Sequence, residues 1–493
     1  MKILKPEKKL RFSDHFNLGK TQAQLDFVDI PLETDINLFL DPYALYIGKT
    51  PWFNQAKNLI VDYFDNLLDA IKAGNELQAI RLLANLREPN DARMGWCTDK
   101  PDGRGIGTRQ ARELYERFRD SKAVQTGCLR DLIDCELMIP GISSDKISDM
   151  TINIIRHLLV QYTQEQCELW NIPMSEVETG SGWDPDIPGW RNEYAELPTF
   201  EGGRLLLVPK IAVRRRLEAN HEDYLNKEVI PFLRAEELEA SSGLVRLLQD
   251  GRRMVYKKDI EEKYFNKPGS HIKNQLHEFT QKHPELLERY KNNKLENPHP
   301  LTDYELEDAQ TFPRDLGIRS IREQLVKVSP GREQANQFHD ISLGAMTTIF
   351  GGSLTNPKKE QPVNDGRKRI DITYNNGALK GFFHNLAAKH GIYCPYIFIE
   401  CKNYTADPAN NELDQLVGRF SRTRGEFGIL VCRTIEDDKT LLHRCRDIVN
   451  AGKGYVLVLN DEDIIALANF SSAGNTAMID SFMQRKLDAL LLS

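Results

Sequence analysis

The chain has 493 residues, 40% of them hydrophobic and 28% charged, with a formal net charge of −7 at neutral pH. That composition is ordinary for a soluble globular protein of two or three domains, and it excludes collagen-like, low-complexity and disordered classes. No apolar run approaches the roughly 18–20 residues that span a bilayer, the basic N-terminus lacks the apolar stretch of an export signal, and eight scattered cysteines without a CxxC or zinc-finger spacing suit the reducing cytoplasm.

The first two hundred residues alternate short apolar segments with helical patterns. "LDFVDIPLETDINLFLDPYAL" reads as an extended stretch ending in a turn at Asp41-Pro42. Its acids Asp26, Asp29, Glu33, Asp35 and Asp41 flank apolar residues as turn-formers and strand ends do, rather than as a metal site. "WFNQAKNLIVDYFDNLLDAIKAG" has apolar residues at helical spacing and stops at Gly74, and "NELQAIRLLANLREP" breaks at Pro89. Gly103, Gly105 and Gly107 precede a helix that opens at Thr108; without a preceding strand or a GK[ST] this is a turn entering a helix, not a nucleotide loop. "SSDKISDMTINIIRHLLVQYTQEQCELW" is the longest helical pattern, with Ser144 or Asp145 as its cap and Ser148 and Asp149 in its first turns. "SGWDPDIPGWRNEYAELPTFEGG" reads as a loop and "RLLLVPK" as a buried strand. The triplet Arg214, Arg215 and Arg216 reads as a solvated surface.

Residues 206–300 read as a charged helical connector interrupted at Pro284, and "NNKLENPHPLTDYE" as a linker. The boundaries expected are therefore 1–205, 206–300 and 311–493. Residues 311–493 hold 23 Lys+Arg against 21 Asp+Glu, whereas the rest holds 42 against 51, so the last region is the mildly basic one.

That region carries the most chemistry. "GRKRIDITYNN" presents Asp371 opposite the apolar Ile370, Ile372 and Tyr374 of the same strand. "YIFIECKNYTA" presents Glu400 and Lys402 two residues apart, hence on one face and about 6–7 Å apart along the strand. An E-x-K pair on a strand is commonly a solvated ion pair, but this one lies among apolar runs that mark a central strand, where charges are costly unless paired or metal-bound. Two carboxylates for Mg²⁺ and a lysine beside the attacking water form a minimal apparatus for phosphodiester cleavage.

The order Asp371, then Glu400-x-Lys402 on the next core strand, resembles the PD-(D/E)XK, or restriction-endonuclease-like, nuclease superfamily over roughly residues 320–470. A helical stretch ("GREQANQFHDISLGAMTTIF") precedes these strands, and a polar helix ("NELDQLVGRFSRTRG") and two further strands ("FGILVCR", "GYVLVLN") come after them. This is the α-β-β-α-β-β order the superfamily requires. Ile370 stands where many members have Pro, and the connection from Asp371 to Glu400 contains a helix-like "ALKGFFHNLAAKH". The resemblance implies an α/β domain with a central mixed sheet flanked by helices, behind a mainly α or α+β N-terminal region. It further implies metal ligation by Asp371, Glu400 and a backbone carbonyl of Ile399 or Cys401, and a catalytic Lys402. Gln415 on the following helix, with Arg419 on the same face, and Glu333 on the preceding helix are accessory site residues; Glu323 and Asp340 compete with Glu333. Arg367, Lys368, Arg369, Arg419 and Arg422 lie where a phosphate backbone would run.

The function expected is a Mg²⁺-dependent endonuclease, with Mn²⁺ as a substitute, acting on DNA in preference to RNA. A restriction or anti-phage effector gated by its N-terminal region fits the architecture by analogy. A homo-oligomer is expected, held through residues 1–300 by helices such as 53–74 and 145–170. A separate ATPase or helicase chain is a further expectation, since no Walker motif occurs. The alternative is a non-catalytic nucleic-acid-binding or scaffolding subunit, which metal-dependent cleavage would discriminate.

Overall fold

The computed structural model describes residues 10–95, 108–125, 132–268, 270–296, 301, 306, 316–363 and 368–492. Two hydrophobic cores organise it, one drawing on side chains from Phe12 to Leu306 and the other from Ile321 to Leu490. The segment 206–300 sends Leu217, Val229, Ile260, Leu276 and Tyr290 into the first core. It packs with the N-terminal region rather than standing apart as a connector.

Helices dominate the first unit. Helix α1 (Pro51–Lys72) starts where Thr50 caps it and Pro51 needs no amide partner, and ends before Gly74 at φ +70°. Its apolar face, including Phe53, Ile60, Tyr63, Phe64 and Leu67, is buried internally. The long pattern after residue 143 is two helices. Ser143, not Ser144 or Asp145, caps Ser144–Ile154, and the chain bends at Ile155 before α2 (Arg156–Trp170). The bend lets the buried Arg156 reach Asp91 at 2.6 Å, a carboxylate that Arg204 also holds at 2.6 Å. Ser148 accepts the amide of Leu40.

Several local expectations yield to tertiary packing. Asp41-Pro42 opens a helix (Pro42–Ile47) with Asp41 as its cap, rather than making a turn. Asp26, Asp29 and Asp41 are buried acceptors: Asp29 for the amide and hydroxyl of Ser13, Asp41 for the amides of Tyr43 and Glu218. Arg214 is buried against Glu218 at 3.3 Å instead of lying in solvent. The Trp-rich segment forms short hairpins around the buried Trp183, while Leu205–Val208 is buried without a regular ladder because its amides bond to scattered partners. The glycines 103, 105 and 107 and Cys128 lie outside the described residues. No helix of the described residues is long and apolar enough to cross a membrane.

The second unit is built on a five-stranded mixed sheet, β1 (Leu354–Val363), β2 (Lys368–Asn376), β3 (Tyr396–Lys402), β4 (Phe427–Cys432) and β5 (Tyr455–Leu459), in that spatial order. The β1–β2 and β2–β3 pairs are antiparallel, and β3–β4 and β4–β5 are parallel. Parallel neighbours need crossovers, and helices α6 (Asn410–Val417) and α7 (Asp438–Asn450) supply them. Ahead of the sheet run α3 (Leu316–Lys327) and α4 (Ala335–Phe350); α5 (Phe382–Ala388) joins β2 to β3, and α8 (Asp461–Ser472) and α9 (Thr476–Leu491) end the chain. The alternation in β2 and β3 divides the sheet. Ile370, Ile372 and Tyr374 form one face with Ile397, Ile399 and Cys401, and Tyr374 bonds there to Thr347 and Leu343 of α4.

The two units touch along β1. Asp26 accepts both the hydroxyl of Tyr162 and the amide of Asn356, and Lys358 pairs with Glu165 of α2 at 2.8 Å. The contact has a backbone cause. The β1–β2 register shifts between Thr355 and Lys358, and Asn356 sits there at φ +48°, a left-handed conformation that asparagine tolerates better than most residues.

Candidate active site

The ladder between β2 and β3 ends at Ile372 opposite Ile399, one position before Asp371 would face Glu400. Both carboxylates therefore share the face that carries Thr373 and Phe398. Asp371 has left the ladder's edge to accept the Cys401 amide at 2.9 Å through Oδ2. On that same oxygen, 3.6 Å away, lies Nε2 of His339 from α4.

Glu400 is 3% exposed. Its Oε1 accepts from Lys402 Nζ at 3.0 Å, and its buried Oε2 has no hydrogen-bond partner. Burial pushes the Glu400 carboxyl above its usual range and the Asp371 charge pushes the same way, against Lys402 and Arg419. Burial alone would lower the Lys402 ammonium, but the charge and hydrogen bond of Glu400, with Asp371 behind them, outweigh it and hold it above its ordinary value. In this arrangement Lys402 is a charged donor. It donates a second hydrogen bond to Gln415 Oε1 at 3.0 Å.

Gln415 is where it is because α6 lies close on the sheet. Leu413 and Leu416 are its buried side, and a Cβ at Gly428 would meet the Leu416 side chain at 3.0 Å, a tight contact that glycine avoids. The end of β3 is pinned too. Asn403 is 2% exposed, donates to the carbonyls of Ser329 and Gly331, and accepts from Arg433 at 3.0 Å. These bonds tie the turn before α4 to the strand that carries Glu400.

The other expected residues are distributed differently. Glu333 is exposed in the turn before α4, because that helix begins two residues later at Ala335; His339 is the α4 residue next to Asp371. Glu323 is exposed on α3, and Asp340 pairs with Lys359 at 2.6 Å. Arg419 lies past the end of α6 at Gly418, not on its helical face, yet its charge acts on Glu400. Arg369 shares the strand face of Asp371 but is exposed and pairs with Glu360 at 3.4 Å. Arg422 is exposed, while Arg367 and the side chain of Lys368 lie outside the described residues. Cys401 enters through its amide; its thiol is buried on the opposite face and pushed well above its usual range by that burial, then by the Asp371 charge.

Among the described residues no group of three or more His, Cys, Asp or Glu side chains is placed to hold a metal. The candidate donors are oxygens of two carboxylates. That set fits Mg²⁺, a hard cation that keeps several waters and binds through one or two carboxylates plus substrate phosphates. The unpartnered Oε2 of Glu400 and the repulsion between Glu400 and Asp371 are what such a cation would relieve.

A family described as a domain of unknown function (DUF8370) matches residues 17–220, within the first core and apart from the carboxylates. The chain matches no curated protein and no solved structure.

Proposed function

We propose that the second unit is a Mg²⁺-dependent nuclease of PD-(D/E)XK type that hydrolyses phosphodiester bonds, in DNA before RNA. The observation that carries this reading is the convergence of Asp371, Glu400, Lys402 and Gln415 on one face at the end of β2 and β3, with a buried carboxylate oxygen left unpartnered. The mixed five-stranded sheet with α6 crossing from β3 to β4 supports the restriction-endonuclease-like fold that the motif implies.

Asp371 and Glu400 would hold Mg²⁺, which supplies Lewis acidity to the phosphate and activates a water. The chain's own part is set by the hydrogen bonds. An ammonium has three donors, and two of those on Lys402 point to Glu400 and Gln415, which leaves the third for the attacking water or a phosphate oxygen. Held charged, it offsets the negative charge that develops on the phosphorus centre. The Cys401 amide holds the orientation of Asp371, and His339 lies beside the same oxygen.

Residues 1–300 serve as the controlling part of a restriction or anti-phage effector, a reading supported by their direct packing on β1 through Asp26 and Glu165. The deciding experiment incubates plasmid, linear DNA and RNA with the protein in Mg²⁺ and in EDTA, beside Lys402→Ala. Metal-dependent cutting that is lost in the variant supports the reading; no cutting of any substrate in Mg²⁺ or Mn²⁺ overturns it.

A further inference from the structure

Between the two units, on the sheet face that carries the carboxylates, lies a cleft of about 440 Å³. That volume falls within the range of small-molecule sites. Trp52 and Tyr162 line it from the first unit; Asn356, Thr373, Tyr396 and Phe398 line it from the second. Three of these residues hold buried polar atoms with no hydrogen-bond partner: Trp52 Nε1, Asn356 Oδ1 and Thr373 Oγ1. Thr373 is 6% exposed. A buried polar atom without a partner is costly, and three on one cleft point to a ligand that bonds to them. Together they offer a donor, an acceptor and a hydroxyl that can be either. Around them stand aromatic rings, with Trp52 and Tyr162 at 6.1 Å between centroids.

The position says what the ligand is attached to. Thr373 comes two residues after Asp371 on β2, and Phe398 two before Glu400 on β3, so cleft and carboxylates are one alternation apart, about 7 Å along the strands. The Lys358 charge on the cleft's wall is paired with Glu165 at 2.8 Å, and Arg424, which gives its Nε to the Arg419 carbonyl, is the remaining cation of the lining, beside a largely aromatic and neutral wall. The cleft suits a flat, neutral heterocycle with donors and acceptors on its edge.

We propose that this cleft receives an unstacked nucleobase of the strand being cut, next to the phosphate held at Asp371 and Glu400. The N-terminal unit would thereby form half of a base-reading pocket through Trp52 and Tyr162. This proposal rests on the nuclease reading for the identity of the strand.

The test separates the two. Lys402→Ala protein in EDTA is titrated with an oligonucleotide and with a set in which a single abasic site is walked along it. One abasic position is expected to weaken binding by about tenfold or more, the effect of losing one stacked base. Trp52→Ala should weaken the intact strand to the same degree and abolish the difference. Thr373→Val, a substitution of similar shape, should narrow discrimination among the four bases at that position. Equal affinity for every abasic strand overturns the cleft assignment, even if the wild-type enzyme cuts. A position-dependent loss without cutting by the wild type supports the cleft and overturns only the nuclease reading. Nucleoside monophosphates form a third arm: binding of these with no abasic effect overturns the assignment to a strand, and no binding of any oligonucleotide overturns the cleft assignment, while cutting by the wild type in Mg²⁺ alone decides the nuclease reading.

Discussion

Lys402 holds the centre of the site, since its ammonium joins the buried Glu400 to Gln415 at 3.0 Å each. Replacing it with alanine removes both the positioned donor and the charge, and a loss of about 10²-fold or more in cleavage is expected. Folding should survive, because Glu400, whose carboxyl burial already raises, can take up a proton instead of remaining charged and unpaired. Cleavage unchanged in Lys402→Ala, at matched thermal midpoint, would assign this role to another residue. Gln415→Ala removes one acceptor and leaves Glu400 to hold the ammonium. Its loss should be smaller, about tenfold, in the same assay.

Among the secondary-structure elements, the site depends on how α6 meets the sheet and where α4 begins. Gly428 is the sharpest test, since any Cβ there presses on Leu416. Gly428→Val should push α6 outward, cost about 1–3 kcal/mol of stability, and lower cleavage at least as much as Gln415→Ala. Chemical denaturation and the cleavage assay together check this. A variant as stable and active as the wild type would mean that the close approach of α6 is not what positions Gln415. The start of α4 explains the exchange of Glu333 for His339: the helix opens at Ala335, so Glu333 is left in the turn while His339 faces the end of β2. Helical character was legible over this stretch; which side chain reaches Asp371 was not, because it depends on how the helix docks.

Across the protein as a unit, charge in the N-terminal part sets a pH dependence. Asp35 is pushed up to about 6, by burial first, against Arg93 and with Glu88 and Asp145 adding like charge. Glu88 is raised too, and Asp149 well above its usual range, again by burial first and then by neighbouring carboxylates. Carboxyls raised in the folded state favour it when protonated. For Asp35 that contribution is complete below the unfolded value near 4 and is lost as pH rises through about 6. Asp35→Asn should therefore flatten the decline between about pH 4 and 7 and stabilise the protein at pH 7 by on the order of 1 kcal/mol or less. Denaturation of both proteins across that range checks the sign; a variant less stable at pH 7 contradicts it. A duplex cut also needs two sites, which a symmetric dimer supplies. Because the apolar face of α1 is spent inside the first core, the dimer contact expected for residues 1–300 must use other surface. Light scattering at micromolar concentration decides, with a strict monomer that still cuts both strands as the contrary result.

Features set by local geometry were readable from the order of residues. Alternation along β3 puts Glu400 and Lys402 on one face, apolar runs mark β3, β4 and β5 as largely buried strands, and Pro and Gly punctuate α1 at both ends. Features that need two distant segments at once were settled only by packing. Asp26 reads as a turn-former until Tyr162 and Asn356 close on it, and Arg214 as a surface charge until Glu218 does. The cleft beside the carboxylates needs Trp52, Tyr162 and Phe398 together, rings from segments far apart in the chain. No pattern within any one of those segments encodes their meeting, because it is set by the packing of one unit on the other.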